Sequence, residues 1–146
     1  MPDEPSPEVR QDYDALLQFL MPFAQQMLNK HGEFFPFGAG VNTNGEVEAH
    51  ATYDGNEMPA SEEVIAMLVQ GFQGKARDGS IRSCGICFDG RIVEDGEKVD
   101  AVIFYLEHVS GDASKVYTTY KKGLFGKHRF GEIIGGAGEA KVFGGA

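Results

Sequence analysis

The chain has 146 residues, 42 % of them apolar and 24 % charged, with 22 acidic against 13 basic side chains and a formal charge of −9. That length suits one domain with a sizeable core, and 11 Phe with 5 Tyr are more aromatic surface than a disordered chain carries. Two cysteines cannot staple a fold of this size, which excludes a disulfide scaffold, and the acidic balance argues against nucleic acid as a partner.

A single domain over 1–146 is expected, with 1–7 and 135–146 as flexible ends. Met1-Pro2-Asp3-Glu4 is acidic where an export signal needs a basic stretch. The longest apolar stretch, Ala15 to Ala24, is interrupted by Gln18 and Pro22 and is too short for a bilayer. A cytoplasmic location with no membrane partner is the expectation.

Ser6-Pro7-Glu8 reads as a helix start, with a hydroxyl cap, proline at the first helical position and an acid in the first turn. Val9, Tyr13, Leu16, Leu17, Leu20, Ala24, Met27 and Leu28 then recur on one helical face. Lys30 and His31 suit the C-terminal end, and Gly32 suits a left-handed cap. Pro22 removes a backbone hydrogen bond near Gln18 and predicts a kink. Phe19, Met21 and Phe23 add apolar bulk outside the main stripe, which either wedges the helix deep in the fold or forms a second face for a homodimer.

Phe34 to Tyr53 predicts a hairpin turning at Asn42-Thr43-Asn44-Gly45. On its return strand Val47, Ala49, Ala51 and Tyr53 are expected to face the core, leaving Glu46, Glu48, His50 and Thr52 outward. Met58-Pro59-Ala60-Ser61-Glu62-Glu63 opens a second helix, with Ile65, Leu68, Val69, Phe72 and Ala76 on one face, and Asp78-Gly79 closes it. The remainder reads as a meander. Ile81 to Phe88 continues through Arg91 to Val93 after an Asp89-Gly90 bulge, Asp95-Gly96 turns, and Val99 to Val109 and Lys115 to Lys122 are long strands. Arg129 to Ile134 and Ala140 to Phe143 are weaker strand candidates. The order α-β-β-α-β-β-β predicts an α+β domain with a mostly antiparallel sheet of five or more strands and two helices.

Cys84-Gly85-Ile86-Cys87 invites a redox or metal reading. In a strand, however, positions i and i+3 face opposite ways about 10 Å apart, too far for a disulfide or a shared metal. Both are expected as core cysteines. Glu48 and His50 share a strand face and could act as acid and base or hold a metal, but a solvated strand face is the favoured reading. His108 lies in phase with Val102, Phe104 and Leu106 and reads as a core histidine. None of the common nucleophile, zinc-protease or phosphate-loop motifs is present, and Gly38-Ala39-Gly40 precedes a turn rather than a helix, which removes a dinucleotide site. No metal and no cofactor is expected.

Charge is unevenly distributed. Residues 1–112 hold 7 basic and 20 acidic side chains, and residues 113–146 hold 6 basic and 2 acidic. Lys121, Lys122, Lys127, His128 and Arg129 cluster with Leu124, Phe125 and Phe130, either as a solubilising hairpin tip or as a site for a small anionic ligand or a partner.

The segments His31-Gly32-Glu33-Phe34-Phe35-Pro36-Phe37-Gly38, Ile81 to Phe88, Leu106-Glu107-His108 and Tyr120-Lys121-Lys122 together resemble a family of small bacterial proteins of unassigned function. That likeness spans nearly the whole chain and implies no activity. The order helix, Phe37-Gly38-Ala39 hairpin, helix, strand is also similar to cytidine deaminases in topology. Those enzymes carry a His or Cys before Ala-Glu at the second helix and a Pro-Cys-x-x-Cys opening a later one. Here Ala60-Ser61-Glu62 and the strand-borne cysteines supply no zinc ligands.

The expected function is a non-catalytic binding or interaction domain acting as a homodimer or with another protein. A narrower form is an inhibitor that covers a basic partner with its acidic portion. The alternative is a small enzyme with a site formed by Glu48, His50, Glu107 and His108.

Overall fold

The computed structural model describes residues 6–50, 61–123 and 128–143. Helix α1 (Pro7–His31) starts where Ser6 Oγ accepts the Val9 N–H at 3.4 Å, and it ends where Gly32, at φ +77°, donates its N–H to Leu28 O. It runs through Pro22, whose missing N–H leaves the Gln18 carbonyl without that donor. Strands β1 (Phe37–Asn42) and β2 (Val47–His50) form the first hairpin. Asn42 Oδ1 accepts the N–H groups of Asn44 and Glu46 in its turn, and Gly45 takes φ +84°. Helix α2 (Ser61–Arg77) leads through Gly79, at φ +77°, into β3 (Ile81–Glu94).

β3 turns through Asp95 (φ +52°) and Gly96 (φ +79°), the doubly left-handed pair of a type I′ hairpin, into β4 (Glu97–His108). Strands β5 (Ala113–Lys122) and β6 (His128–Ala137) complete the meander. The six strands form one antiparallel sheet in the order β2-β1-β3-β4-β5-β6. The class is therefore α+β, with the weaker candidate at Arg129 to Ile134 realised as β6. Residues 51–60, which include Ala51, Thr52, Tyr53 and the opening of the second helix, lie outside the described residues, as do Lys127 and its neighbours at 124–126.

The helices lie on opposite faces of the sheet. On one face α1 packs Leu16, Leu20, Ala24 and Leu28 against Ala39, Val41, Cys87, Phe104 and Leu106. On the other α2 packs Val64, Leu68 and Phe72 against Ile81, Cys84 and Ile86. Strand alternation divides Cys84 from Cys87: each is buried and free, one in each core. The contacts of α2 reach β1 and β3, whereas those of α1 extend to β4 and β6.

Three expectations change. The Asp89-Gly90 bulge does not form, because Asp89↔Val102 and Gly90↔Ala101 remain in register. A Cβ there would sit 2.9 Å from Ile103 Cδ1, the far end of a side chain that fills the space glycine leaves open. Register shifts fall instead beside Val41/Asn42 and Thr118/Tyr120. Ala140 to Phe143 is not a strand: residues 138–143 are an irregular strap, and the N–H groups of 141–143 bond to a carboxylate rather than to a ladder. His50 does not face solvent. Its ring centroid is 4.7 Å from that of Phe72, because α2 covers the face that a one-sided sheet would leave open.

Candidate ligand-binding cleft

Glu107 and His108 are neighbours in sequence but lie on opposite sides of the sheet, as alternation on β4 requires. Glu48 and His50 are on β2, three strand spacings from β4, or about 14 Å. The sheet thus does not bring the four into one pocket. Among the described residues, no group of three or more His, Cys, Asp or Glu converges as a metal site would require.

On the α1 side His108 belongs to a buried polar cluster. Asp12, 2 % exposed, accepts Arg82 Nε at 2.9 Å, Arg82 Nη2 at 2.8 Å and Ser83 Oγ at 2.9 Å. Adjacent residues of β3 reach the same carboxylate because the register shift between β1 and β3 falls beside them. His108 Nδ1 accepts the Ser110 N–H at 3.0 Å, which places the ring proton on Nε2, 3.6 Å from Asp12 Oδ2. Ser110 Oγ is also 3.0 Å from Nδ1. The order Ser110, His108, Asp12 superficially follows a hydrolase relay. The same nitrogen is already occupied by the Ser110 backbone, however, and Gly111 and Asp112 close the turn onto the His108 backbone. Tyr13 adds a further tie from α1, donating its hydroxyl to Asp112 Oδ2 at 2.7 Å. Burial, then the hydrogen bond to Asp112, push the Tyr13 hydroxyl above its ordinary pKa, so it stays a donor. The cluster anchors α1 to the β4–β5 turn.

On the α2 side Glu107 is fully buried. Its Oε1 accepts the Lys141 N–H at 2.6 Å, its two oxygens share the Val142 N–H, and Oε2 accepts the Phe143 N–H. Tyr105 donates its hydroxyl to Oε1 at 3.0 Å. Burial first, then the Glu107 charge, raise the pKa of Tyr105, which keeps that donor protonated. Gln73 Nε2 donates to Lys141 O at 2.8 Å, and the Gly138 N–H donates to Ala113 O, so the strap is tied to α2 and to β5 as well.

The strap closes one side of a cleft of about 410 Å³. Ile65 and Val69 of α2 form a second wall, and Ile86, Phe88 and Ile103 of the sheet form its floor. Tyr105, Lys115, Glu139 and Lys141 supply its polar groups. Lys141 Nζ lies 5.5 Å from the Tyr105 ring centroid, a cation–π position. The volume and the mostly apolar lining with a few polar groups are those of small-molecule sites.

The basic cluster lies elsewhere. Lys121 pairs with Arg129 and Lys122 with His128, so alternation directs the two pairs to opposite faces at one end of the β5–β6 hairpin. The Lys122 and His128 pair is on the α1 side, where His128 meets Asn29 Oδ1 through its backbone N–H at 2.8 Å. Lys121 and Arg129 are exposed on the side that carries the cleft, six residues along β5 from Lys115, or about 20 Å. Phe19 and Phe23 are 42 % and 47 % exposed and line a second, shallower cleft of about 380 Å³ with Pro22, Phe37 and Ala49.

Sequence reasoning passed over Lys115, Lys141 and Asp12. Asp12 had a legible signal: it lies three residues after Val9 and four before Leu16, squarely on the apolar stripe of α1. Lys141 had none, since its place depends on how the strap returns across the sheet. No helix among the described residues is long and apolar enough to cross a membrane. Comparison with family models, curated proteins and solved structures gave no match.

Proposed function

We propose that the protein is a non-catalytic binding domain that holds a small ligand in the cleft between α2, the sheet and the strap. The observation that carries this reading is the cleft itself: about 410 Å³, walled by α2 on one side and by a strap with its own buried anchor on another. The polar side chains that could have done chemistry support the same reading. Glu107 spends its oxygens on strap N–H groups, and Asp12 spends its own on Arg82 and Ser83. The test is binding of an uncharged, environment-sensitive apolar dye such as N-phenylnaphthylamine. Saturable fluorescence that Val69→Trp abolishes without loss of fold supports the proposal. Absence of saturable binding, or binding that Val69→Trp leaves intact, overturns it.

Self-association through α1 is a second reading, favoured by the exposed rings of Phe19 and Phe23 beside Phe37, an uncharged patch on a strongly acidic chain. Light scattering should then give a dimer mass that Phe19→Ser with Phe23→Ser reduces to the monomer. A monomer mass for the unaltered protein removes this reading.

A further inference from the structure

We infer that the ligand of the cleft is an amphipathic monoanion, an apolar body carrying a single carboxylate, with its head at Lys115 and Lys141. The inference rests on the reading of the cleft as a binding site and adds the class of molecule that it takes. Body and head are argued separately.

Ile65, Val69 and Phe88, each only partly buried, offer aliphatic and aromatic surface with no hydrogen-bonding group of their own. A small inorganic anion would leave that surface wet, whereas an apolar body removes it from water. The head is set by charge. Two lysines and one glutamate line the cleft, a balance of one positive charge in a protein whose formal charge is −9. Among the described residues neither Lys115 nor Lys141 makes an ion pair, with Glu139 or with any other carboxylate. Lys141 is also directed: the Tyr105 ring holds its ammonium over the cleft wall, while the Tyr105 hydroxyl is committed to Glu107. Ammonium groups beside apolar walls meet an anion in a lower effective dielectric than open water, which strengthens the attraction. A single surplus positive charge matches a carboxylate and under-compensates a dianion such as a phosphate monoester.

Isothermal titration calorimetry on the full chain, with decanoate, decanol and decyl phosphate as probes, tests this. Decanoate should bind about tenfold more tightly than decanol, a difference of one decade in Kd. Lys141→Ala and Lys115→Ala should each remove most of that preference while leaving decanol binding unchanged, and Glu139→Gln should enlarge it. All three side chains are at the cleft's polar margin, and a retained thermal transition shows that the variants fold. Equal affinities for decanoate and decanol, or a preference indifferent to both lysine variants, overturn the anion assignment while the binding reading stands. Tighter binding of decyl phosphate than of decanoate overturns the carboxylate assignment. If no probe binds, this inference and the binding reading fall together.

Discussion

Glu107 and Val142 meet through one shared hydrogen: the Val142 N–H lies 3.0 Å from Glu107 Oε1 and 2.8 Å from Oε2. With Lys141 and Phe143 donating on either side, a fully buried carboxylate serves as the anchor of an irregular strap. Buried carboxylates are costly unless their lone pairs are satisfied. Here backbone N–H groups satisfy them, and the same bonds supply partners for three donors that no ladder reaches.

Glu107→Gln keeps the shape but turns an amide N–H toward those donors. Leaving buried donors unpaired costs about 1–3 kcal/mol each, so a loss of about 2–4 kcal/mol of stability is expected. Hydrogen exchange should accelerate at the amides of Lys141, Val142 and Phe143 more than at β4. Unchanged exchange at those amides would remove the anchoring role.

On the opposite face, Asp12→Asn should cost about 3 kcal/mol. It breaks an ion pair whose carboxylate is buried and whose Arg82 side chain is 27 % exposed, and it leaves Ser83 and the guanidinium competing for one acceptor. Chemical denaturation checks this, with a lower midpoint and an unchanged slope expected. A midpoint equal to that of the unaltered protein would mean that the cluster contributes nothing.

Cys84 and Cys87 are expected to be inert in the native state. Burial, as the largest cause, raises both thiol pKa values, with the Glu107 charge adding at Cys84 and the Asp89 charge at Cys87. Neither should react with iodoacetamide near neutral pH until denaturant unfolds the chain, when both should label. Mass spectrometry that finds prompt native labelling at either position contradicts their placement in the two cores.

His50 predicts a pH dependence with a definite sign. Burial, with a smaller contribution from the Lys75 charge, lowers its pKa below the ordinary 6.5. The folded state therefore binds fewer protons at this site than the unfolded state does. The stability from His50 is complete above the unfolded value and is lost as pH falls through and below it. Among the described residues its Nε2 has no hydrogen-bond partner, and it lies 2.6 Å from the position a Cβ on Gly71 would take. His50→Phe retains the stacking on Phe72 and should flatten the melting-temperature profile between about pH 7 and 5. The difference between the two profiles isolates His50 from Asp89, whose raised pKa acts with the opposite sign. Parallel profiles would contradict the prediction.

What could be read directly from the residues follows a physical division. Ser6, Gly32, Asn42 to Gly45 and Asp95-Gly96 act through their own backbones within a few residues, so helix and hairpin limits were legible. Strand alternation likewise separated Cys84 from Cys87 without any tertiary knowledge. What could not be read depends on where remote segments come to rest. His50 alternates as a solvent-facing residue should, until α2 is laid over it. Residues 140–143 look strand-like because Ala140 and Val142 alternate with Lys141 ahead of Phe143, but their backbone partner is a side chain on β4. Gly90 suggested a bulge, yet its absent Cβ makes room for Ile103. The cleft draws its walls from α2, four strands and the strap, so no local pattern announces it.

The most direct test of the account is a two-dimensional amide NMR titration of the protein with decanoate. The account predicts saturable shifts at Ile65, Val69, Ile103, Tyr105 and Lys141, with Asp12, Ser83 and His108 on the other face left in place. Shifts centred on the Asp12 and His108 cluster or on Phe19 and Phe23, or none at saturating ligand, would contradict it.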